Sequence, residues 1–403
     1  MPTVKPERIS SAEAARRLGV KVETVYAYVS RGLLTSRRVH GGRGSTFSIT
    51  EVEALAGSGM RHRGGDSEPF RFPSISTGIA LVTADGLYFR GVDAVTLSAE
   101  RSFEEVAAWI WTGELRAEPF VAPAVTTEAV RNAVRALPGN VDPTARLRVA
   151  VAVASALDHL RFDLTPESVR HMGRTVIACM VDGLTDGPAD NPAGVADRLW
   201  AALSSEPDRP ELRACLQAAL VLLADRGLAA STVAARAAAS ARAHPYAVVS
   251  AGLGALDGPL HGGASAAARQ LLDQVLATGD VDRTLADYLR LDRPVPGLGL
   301  YNARTDPRAT ALLARLGEIP AAAEVVTAVR SIAEALRPRG AYQPNVDLAL
   351  AALSIAGGLR PGSGEAIFAV ARSVGWIGHA LEEYREQPLR WRGRELYTGP
   401  QPD

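Results

Sequence analysis

Residues 255–275, ALDGPLHGGASAAARQLLDQV, place a histidine between a glycine–proline turn and a pair of glycines, directly before a helical pattern. Glycine and proline punctuate turns, whereas the alanine- and leucine-rich run after Gly263 has the apolar spacing of a helix. His261 therefore stands at the start of a predicted helix, where the helix dipole and the turn favour a chemical role. From this segment alone, a hydrogen-bonded structural histidine is the alternative.

Similar amphipathic stretches surround this segment, separated only by glycine and proline, and they predict a mainly α fold. Ser102 and Glu105 have the spacing of a capping box at the start of one such helix. Before this helix, β-branched and aromatic residues lie on both sides of the turn-forming residues 84–86. This pattern predicts a short hairpin within residues 72–94. The other predicted helices cover residues 143–160, 166–181, 193–203, 210–223, 231–243, 264–277, 307–316, 321–336 and 364–384.

The whole chain of 403 residues is long enough for one large helical domain and a small extra module. Its 44 basic and 44 acidic side chains balance, so the total charge suggests neither a nucleic-acid nor a membrane partner. Two cysteines, Cys179 and Cys215, are too few for a disulfide scaffold or a zinc cluster. With no signal-peptide pattern at the start, we expect a cytoplasmic protein without a metal site or a membrane span.

The basic residues are concentrated at the N-terminus, where residues 1–65 carry eleven basic and five acidic side chains. Residues 9–38 have helix-turn-helix spacing around Gly19, and residues 37–56 predict a glycine-tipped hairpin followed by a helix. The stretch resembles the MerR-like and excisionase-like winged helix-turn-helix modules, which implies a DNA-binding domain over residues 1–56 and a linker over 57–72. A vestigial appendage or a protein-interaction module is the alternative. The resemblance implies these DNA-contacting residues: Thr24, Tyr26, Tyr28, Arg31, Arg37, Arg38 and Arg43.

Five further segments together carry a resemblance to the citrate synthase family that extends over nearly everything beyond residue 73. They are residues 90–115, 295–316 (VPGLGLYNARTDPRATALLARL), 341–353 (AYQPNVDLALAAL), 369–384 (AVARSVGWIGHALEEY) and 389–400. The resemblance implies all-helical large and small domains over residues 73–403, with the small domain at roughly 225–330, and a homodimer. It also implies condensation of acetyl-CoA with oxaloacetate, without a metal or a resident cofactor.

The same resemblance assigns roles to individual residues. Asp347 in PNVD matches the base that removes the methyl proton, and His261 in GPLHGGA matches the donor that stabilises the enol oxygen. Arg308, Arg372 and Arg392 match arginines that bind the substrate carboxylates, the last reaching into the neighbouring subunit's site. Taken singly, Asp347 would more often be a helix N-cap and each arginine a surface residue.

Two positions depart from the family pattern. Leu300 follows PGLG, where the family has a histidine that polarises the ketone, and Arg226 in ADRGLAAST stands where another substrate-contacting histidine belongs. The loop after Gly299 is also one residue short, so that Arg304 is only a candidate CoA-contacting cation. The leading hypothesis is a weak or altered citrate-synthase-like acyltransferase, in which Arg226 binds a carboxylate. The alternative is a DNA-binding transcriptional regulator whose helical body senses CoA esters or carboxylates.

Overall fold

The computed structural model describes residues 8–18, 20–30, 34–38, 45–49, 51–52, 75–185, 194–291, 293–299, 305–339, 343–391 and 399. The chain divides into two compact units, residues 1–75 and 76–403. The predicted linker 57–72 lies outside the described residues. None of the described helices is both long and apolar enough to cross a membrane.

The first unit combines two helices with a small sheet. Its elements are β1 (Arg8–Ser10), α1 (Ser11–Leu18), α2 (Val22–Ser30), β2 (Ser36–Arg38) and β3 (Ser45–Ser48). β3 lies between β1 and β2 and pairs antiparallel with both. Ala14 and Ala15 of α1 pack with Val25 of α2 and Phe47 of β3 in a core of its own.

The expectation that Tyr28 faces a DNA groove is wrong. Tyr28 is only 3% exposed and lies in the core beside Val25, three residues earlier on the same face of α2. Tyr26 is 42% exposed, with its ring edge on Phe47, and Thr24 is partly buried. Arg37 is exposed on β2, which also contains Arg38. Arg31 and Arg43 lie outside the described residues.

The second unit begins with the predicted hairpin. β4 (Ala80–Val82) pairs antiparallel with β5 (Leu87–Phe89), and β6 (Val92–Asp93) adds to the other edge of β5. The backbone N–H of Thr83 donates to the Gly86 carbonyl and closes the turn (2.9 Å). The predicted capping box is confirmed, because Ser102 and Glu105 each accept a hydrogen bond from the other's backbone N–H.

Helices make up the rest of the unit and confirm the mainly α prediction. The bounds are α3 (Ala94–Glu100), α4 (Phe103–Thr112), α5 (Ala124–Arg135), α6 (Pro143–Leu157), α7 (Pro166–Asp182), α8 (Val195–Leu203), α9 (Pro210–Leu223), α10 (Ala230–Ser240), α11 (Pro245–Leu256), α12 (Ala264–Thr278), α13 (Val281–Arg290), α14 (Pro307–Gly317), α15 (Ala323–Leu336), α16 (Val346–Ala356) and α17 (Ser363–Glu383). Five of these described helices, α3, α5, α11, α13 and α16, were not among the predicted helical stretches.

The longest helix, α17, lies at the centre of the second unit. It packs against α4, α6, α7, α9, α10, α11, α12 and α16, and nearly all of its residues are buried. A helix enclosed on every side is usually apolar all round. This one nevertheless buries Arg372, His379 and Glu383. Buried charges require partners, so these three residues indicate where polar networks cross the core.

Candidate functional site

Asp347 lies in the first turn of α16, and its carboxylate is not used as a cap. Asn345 is the N-cap, and its Oδ1 accepts from the backbone N–H groups of Asp347 (3.0 Å) and Leu348 (3.4 Å). The N-cap alternative for Asp347 is therefore wrong. Burial raises the pKa of Asp347 to about 6, against the opposing charge of Arg308. A carboxyl group that titrates near neutrality is suited to proton abstraction.

A short backbone pairing holds the segment before position 300 against the start of α16. The Asn345 N–H donates to the Gly297 carbonyl (3.0 Å), and the Gly299 N–H donates to the Gln343 carbonyl (2.9 Å). The Asn345 side chain also donates to the Gly299 carbonyl (3.2 Å). Gly299 is thereby fixed beside the helix turn that carries Asp347. Leu300 and Arg304 lie outside the described residues.

Asp306 connects three elements of the site. It is the N-cap of α14, and its two carboxylate oxygens accept from Nε (2.9 Å) and Nη2 (2.8 Å) of Arg308. The same carboxylate accepts from the backbone N–H of Val346 in α16 (3.0 Å) and lies 3.8 Å from Nη1 of Arg226. Burial raises the pKa of Asp306, but the charge and hydrogen bonds of Arg308 hold it below its usual range. An ionised Asp306 thus fixes Arg308 next to Asp347.

Arg226 and Arg372 bring two more guanidinium groups to the same region. Arg226 lies in the loop between α9 and α10 and is partly exposed, whereas Arg372 is buried in the middle of α17. Burial, together with the charge of Arg308, lowers the pKa of each to about 10. Both remain protonated at neutral pH. The charges of Arg308 and Asp347 affect the pKa of both arginines, so all four residues lie in the same region.

Arg372 is held from one side only. Its Nε donates to the Leu223 carbonyl (2.9 Å), and its guanidinium lies over the Phe368 ring, 4.5 Å from the ring centre. Its Nη2 has no hydrogen-bond partner among the described residues. A buried N–H group of a cation without a partner is costly, so this atom is a natural position for a ligand carboxylate.

His261 contacts the same phenylalanine, Phe368, that packs against Arg372. Its ring stands edge-on to Phe368, with 5.7 Å between ring centres, and its Nε2 lies 2.8 Å from the Ser231 Oγ. Burial, with the nearby charge of Arg372, lowers the pKa of His261 to about 4. The imidazole is therefore neutral at physiological pH. Gly262 permits the tight turn, because a methyl group there would overlap the Leu256 carbonyl.

The structure thus brings together five predicted site residues, His261, Asp347, Arg226, Arg308 and Arg372. Arg392 lies outside the described residues. Sequence reasoning did not single out Ser231, Phe368 or Asp306. Phe368 and Arg372 are four residues apart in one predicted helix, and Asp306 precedes a proline at a predicted helix start. The four-residue spacing could have indicated that Phe368 and Arg372 share a helix face, and the position before the proline could have indicated that Asp306 is an N-cap.

A separate cleft of about 340 Å³ lies between α4 and α7, lined by Trp111, Phe120, Arg170, Arg174 and neighbouring residues. Arg174 already donates to the Glu118 carboxylate there (2.8 Å). The five predicted site residues do not line this cleft. We therefore place the candidate active site at Asp347.

The sequence from residue 71 to residue 394 matches the family model described as citrate synthase, C-terminal domain. The chain belongs to the citrate synthase family. Citrate synthase of Haloferax volcanii is 31% identical over 346 residues, which cover 78% of this chain and 90% of that protein. Citrate synthase 2 of Bacillus subtilis is 27% identical over 349 residues, or 81% of this chain and 93% of that one.

Solved citrate synthases have the same fold as this family member. The ternary complex of the Thermoplasma acidophilum citrate synthase with carboxymethyl coenzyme A and oxaloacetate superposes with a TM-score of 0.68. The superposition covers 83% of this chain and 96% of that one, at 23% sequence identity. The all-helical citrate synthase fold predicted for this chain is confirmed. The family match begins at residue 71, so it leaves out nearly all of the N-terminal unit.

Proposed function

We propose that this citrate synthase family member condenses an acyl-CoA, with acetyl-CoA as the simplest donor, with a 2-oxo dicarboxylic acid. The observation that carries the proposal is the convergence of one carboxylate of raised pKa, Asp347, with a neutral imidazole and three guanidinium groups. Proton removal needs the carboxylate, and a substrate with two carboxylates needs the guanidinium groups.

The first step of the proposed reaction forms a carbon nucleophile. The Asp347 carboxylate takes a proton from the methyl carbon of the acyl thioester, and the electrons of the broken C–H bond shift toward the thioester oxygen. His261 stabilises that oxygen with an N–H donor. In this assignment Ser231 donates to Nε2 of His261, across the 2.8 Å contact, and Nδ1 carries the hydrogen that faces the substrate.

The second step joins the new nucleophile to the acceptor. The nucleophilic carbon attacks the ketone carbon of the 2-oxo acid, so that a C–C bond forms and the thioester carbonyl re-forms. The ketone oxygen takes the electrons of its π bond and is protonated to a hydroxyl group, which balances the proton that Asp347 removed and returns to solvent. Water then hydrolyses the thioester and releases free CoA thiol. Arg308 and the unpartnered Nη2 of Arg372 would bind the acceptor carboxylates.

Arg226 and Leu300 are the reasons to propose weak or altered activity toward oxaloacetate. An aliphatic side chain at position 300 cannot donate to the developing alkoxide, and loss of one such donor typically costs about 10²- to 10³-fold in rate. Arg226 adds a cation 3.8 Å from Asp306, where the family pattern has an imidazole. This additional cation favours an acceptor with a differently placed carboxylate.

Thiol release tests this proposal. Acetyl-CoA and propionyl-CoA are each incubated with a panel of 2-oxo acids, and free CoA thiol is measured against controls that lack the acceptor. We expect release that depends on both partners, with at least one acid preferred over oxaloacetate. If no pair releases thiol while calorimetry detects binding of a CoA ester, the enzymatic proposal is wrong and a sensor role is favoured.

A second proposed function, DNA binding, concerns the N-terminal unit. It has its own core, lies almost entirely outside the family match and carries an excess of six positive charges over residues 1–65. Clustered cations release counterions from duplex DNA and give salt-dependent binding. Of the predicted DNA-contacting residues that the structure describes, Arg37 and Tyr26 are exposed. A homodimer, which the resemblance predicts, would present two such units to a palindromic site.

Two measurements address this second proposal. Sedimentation at micromolar concentration should give a dimer, and a monomer would contradict it. Fluorescence anisotropy at low salt should detect binding to duplex DNA from upstream of the protein's own coding sequence. Arg37→Glu should weaken that binding, whereas Arg16→Gln should change it little, because Arg16 already pairs with Glu13. Absence of binding by the intact protein at low salt would overturn the proposal.

A further inference from the structure

A continuous row of buried charged and polar side chains starts at the loop that carries Arg226. Asp225, His379, Arg236 and Glu383 are all fully buried. The Asp225 Oδ2 lies 3.1 Å from Nε2 of His379, and Nδ1 of His379 lies 2.7 Å from Nη1 of Arg236. Arg236 in turn donates from Nε to the Glu383 carboxylate (3.1 Å). None of these four residues has a part in the proposed reaction.

The partners of His379 define its tautomer. A guanidinium N–H can only donate, so Nδ1 of His379 must accept from Arg236. Nε2 then carries the hydrogen and donates to Asp225. The imidazole therefore links a cation to a carboxylate in the core. Its Nδ1 accepts a hydrogen bond from Arg236, and its Nε2 donates one to Asp225.

The Asp225 end of the row fixes the backbone on both sides of Arg226. Oδ1 of Asp225 accepts from the Gly227 N–H (2.6 Å), and the Ala224 carbonyl accepts from the Gly375 N–H of α17 (3.0 Å). A methyl group at Gly375 would overlap the Asp225 carboxylate, so glycine allows this close approach. The orientation of the Arg226 loop thus depends on a carboxylate that His379 holds in place.

The Glu383 end of the row fixes the last described part of the chain before position 392. Arg390 donates to both carboxylate oxygens of Glu383 (2.6 and 2.7 Å), and Trp391 Nε1 donates to one of them (3.0 Å). The Leu389 N–H also donates to the Ser240 carbonyl (2.9 Å). Burial raises the pKa of Glu383, but the hydrogen bond from Arg390 and the charge of Arg236 keep it below its usual range.

We infer that His379 is a positioning residue, which couples the loop at residues 224–227 to the segment at residues 389–391 through Asp225 on one side and Arg236 on the other. Its effect on catalysis, through Arg226, rests on the proposed function. Its effect on the two backbone segments does not. A buried residue that supported only the packing of α17 would have no reason to act on both segments together.

Hydrogen–deuterium exchange of backbone amides, followed by mass spectrometry, tests this coupling in the intact protein without any substrate. We expect His379→Ala to raise the exchange rate by at least about tenfold both in peptides covering 224–230 and in peptides covering 385–391, because buried charged hydrogen bonds are lost. His379→Gln retains an N–H donor for Asp225 and should restore protection of 224–230. Tyr384→Phe is the control, because it removes a partly buried hydrogen bond from Tyr384 to the Ala243 carbonyl outside the row.

Several results would overturn the inference. They are unchanged exchange in 224–230 in His379→Ala, equal loss of protection in the Tyr384→Phe control, or acceleration along the whole chain. If His379→Ala does not fold, Asp225→Asn takes its place, since it removes the charge that accepts from His379 but retains an acceptor for Gly227. That variant should also speed exchange in 224–230, and no change would count against the coupling.

Kinetics supply an independent readout if the protein condenses an acyl-CoA as proposed. His379→Ala should raise KM for the acceptor acid by about tenfold, while KM for the acyl-CoA stays within about twofold, and His379→Gln should return the acceptor KM close to that of the unmodified protein. An equal change in both constants would contradict a role through Arg226. Complete inactivity of the unmodified protein would reject the proposed function, and the amide exchange result would still decide the coupling.

Discussion

The two ends of the candidate site differ in how their charges are arranged. At the Asp347 end, a carboxyl of pKa about 6 and an imidazole of pKa about 4 are both in their working forms at neutral pH. At the other end, Arg226 and Arg308 flank the ionised Asp306, and the buried Arg372 leaves its Nη2 without a hydrogen-bond partner among the described residues. The first end resembles the family pattern residue for residue, whereas the second has an arginine where the pattern has a histidine.

This difference separates two tasks that the reaction combines. Enol formation needs one base and one neutral donor, both of which the described residues supply. Addition of the nucleophile to the ketone needs a hydrogen-bond donor at the ketone oxygen and cations that bind the carboxylates of the acceptor acid. Guanidinium groups meet the carboxylate requirement well but hold their protons tightly, even at a pKa of about 10. The Asp347 end can therefore form the enol while the arginine end limits the addition to the acceptor.

The largest expected effect comes from removing the base. Asp347→Asn should reduce deuterium exchange into the methyl group of acetyl-CoA by about 10³-fold, because the amide cannot take the proton. Asp273→Asn on α12 is the matched control, since Asp273 is exposed and forms an ion pair with Arg269, and exchange should be unchanged. Retention of most of the exchange by Asp347→Asn would show that another group is the base.

A substitution at the arginine end should leave exchange intact but weaken acceptor binding. Arg372→Lys keeps the charge but loses the planar pair of donors, so KM for the acceptor should rise about 10²-fold. Exchange without an acceptor should change less than about threefold. Arg148→Lys, at a surface pair with Asp257, is the control. If exchange falls in parallel with acceptor binding, the two ends are not separable.

Restoring the family histidines should reduce the difference between the two ends. Leu300→His together with Arg226→His should raise condensation with oxaloacetate by at least about tenfold, because a donor returns to the ketone oxygen. The comparison is made at saturating acetyl-CoA, with Leu300→Gln as a control for added polarity. No gain in the double variant would mean that another feature limits the acceptor step.

The pH dependence of exchange provides a smaller effect with a defined sign. Burial raises the pKa of Asp347 to about 6, and only the ionised form is a base, so exchange rises as pH increases through that value. Between roughly pH 5 and pH 7 the rate should increase about tenfold and then level off. His261 is neutral over this whole range. A rate that is flat or falls with increasing pH would indicate a different base.

Sequence patterns predicted most of the second unit, because glycine, proline and capping residues mark its helices clearly. The capping box at Ser102 and the hairpin at Ala80–Phe89 were correct, and the five predicted site residues that the structure describes lie in one region. The helix α11, Pro245–Leu256, was missed because its nearly uniform apolar composition lacks periodicity. The buried row at His379 could not be predicted, since its partners are up to 154 residues apart in the chain. Tyr28 was misplaced because an aromatic residue with a polar tip fits a core or a surface equally well.

One measurement tests the separation of the two ends most directly. The unmodified protein is incubated with acetyl-CoA in deuterated buffer, with and without oxaloacetate, and both methyl deuteration and citrate are quantified in the same samples. We expect deuteration in both samples, with citrate formed at least about 10²-fold more slowly than deuterium is incorporated. Rapid citrate formation would contradict the account, because it would require a donor at the ketone oxygen that replaces the missing histidine.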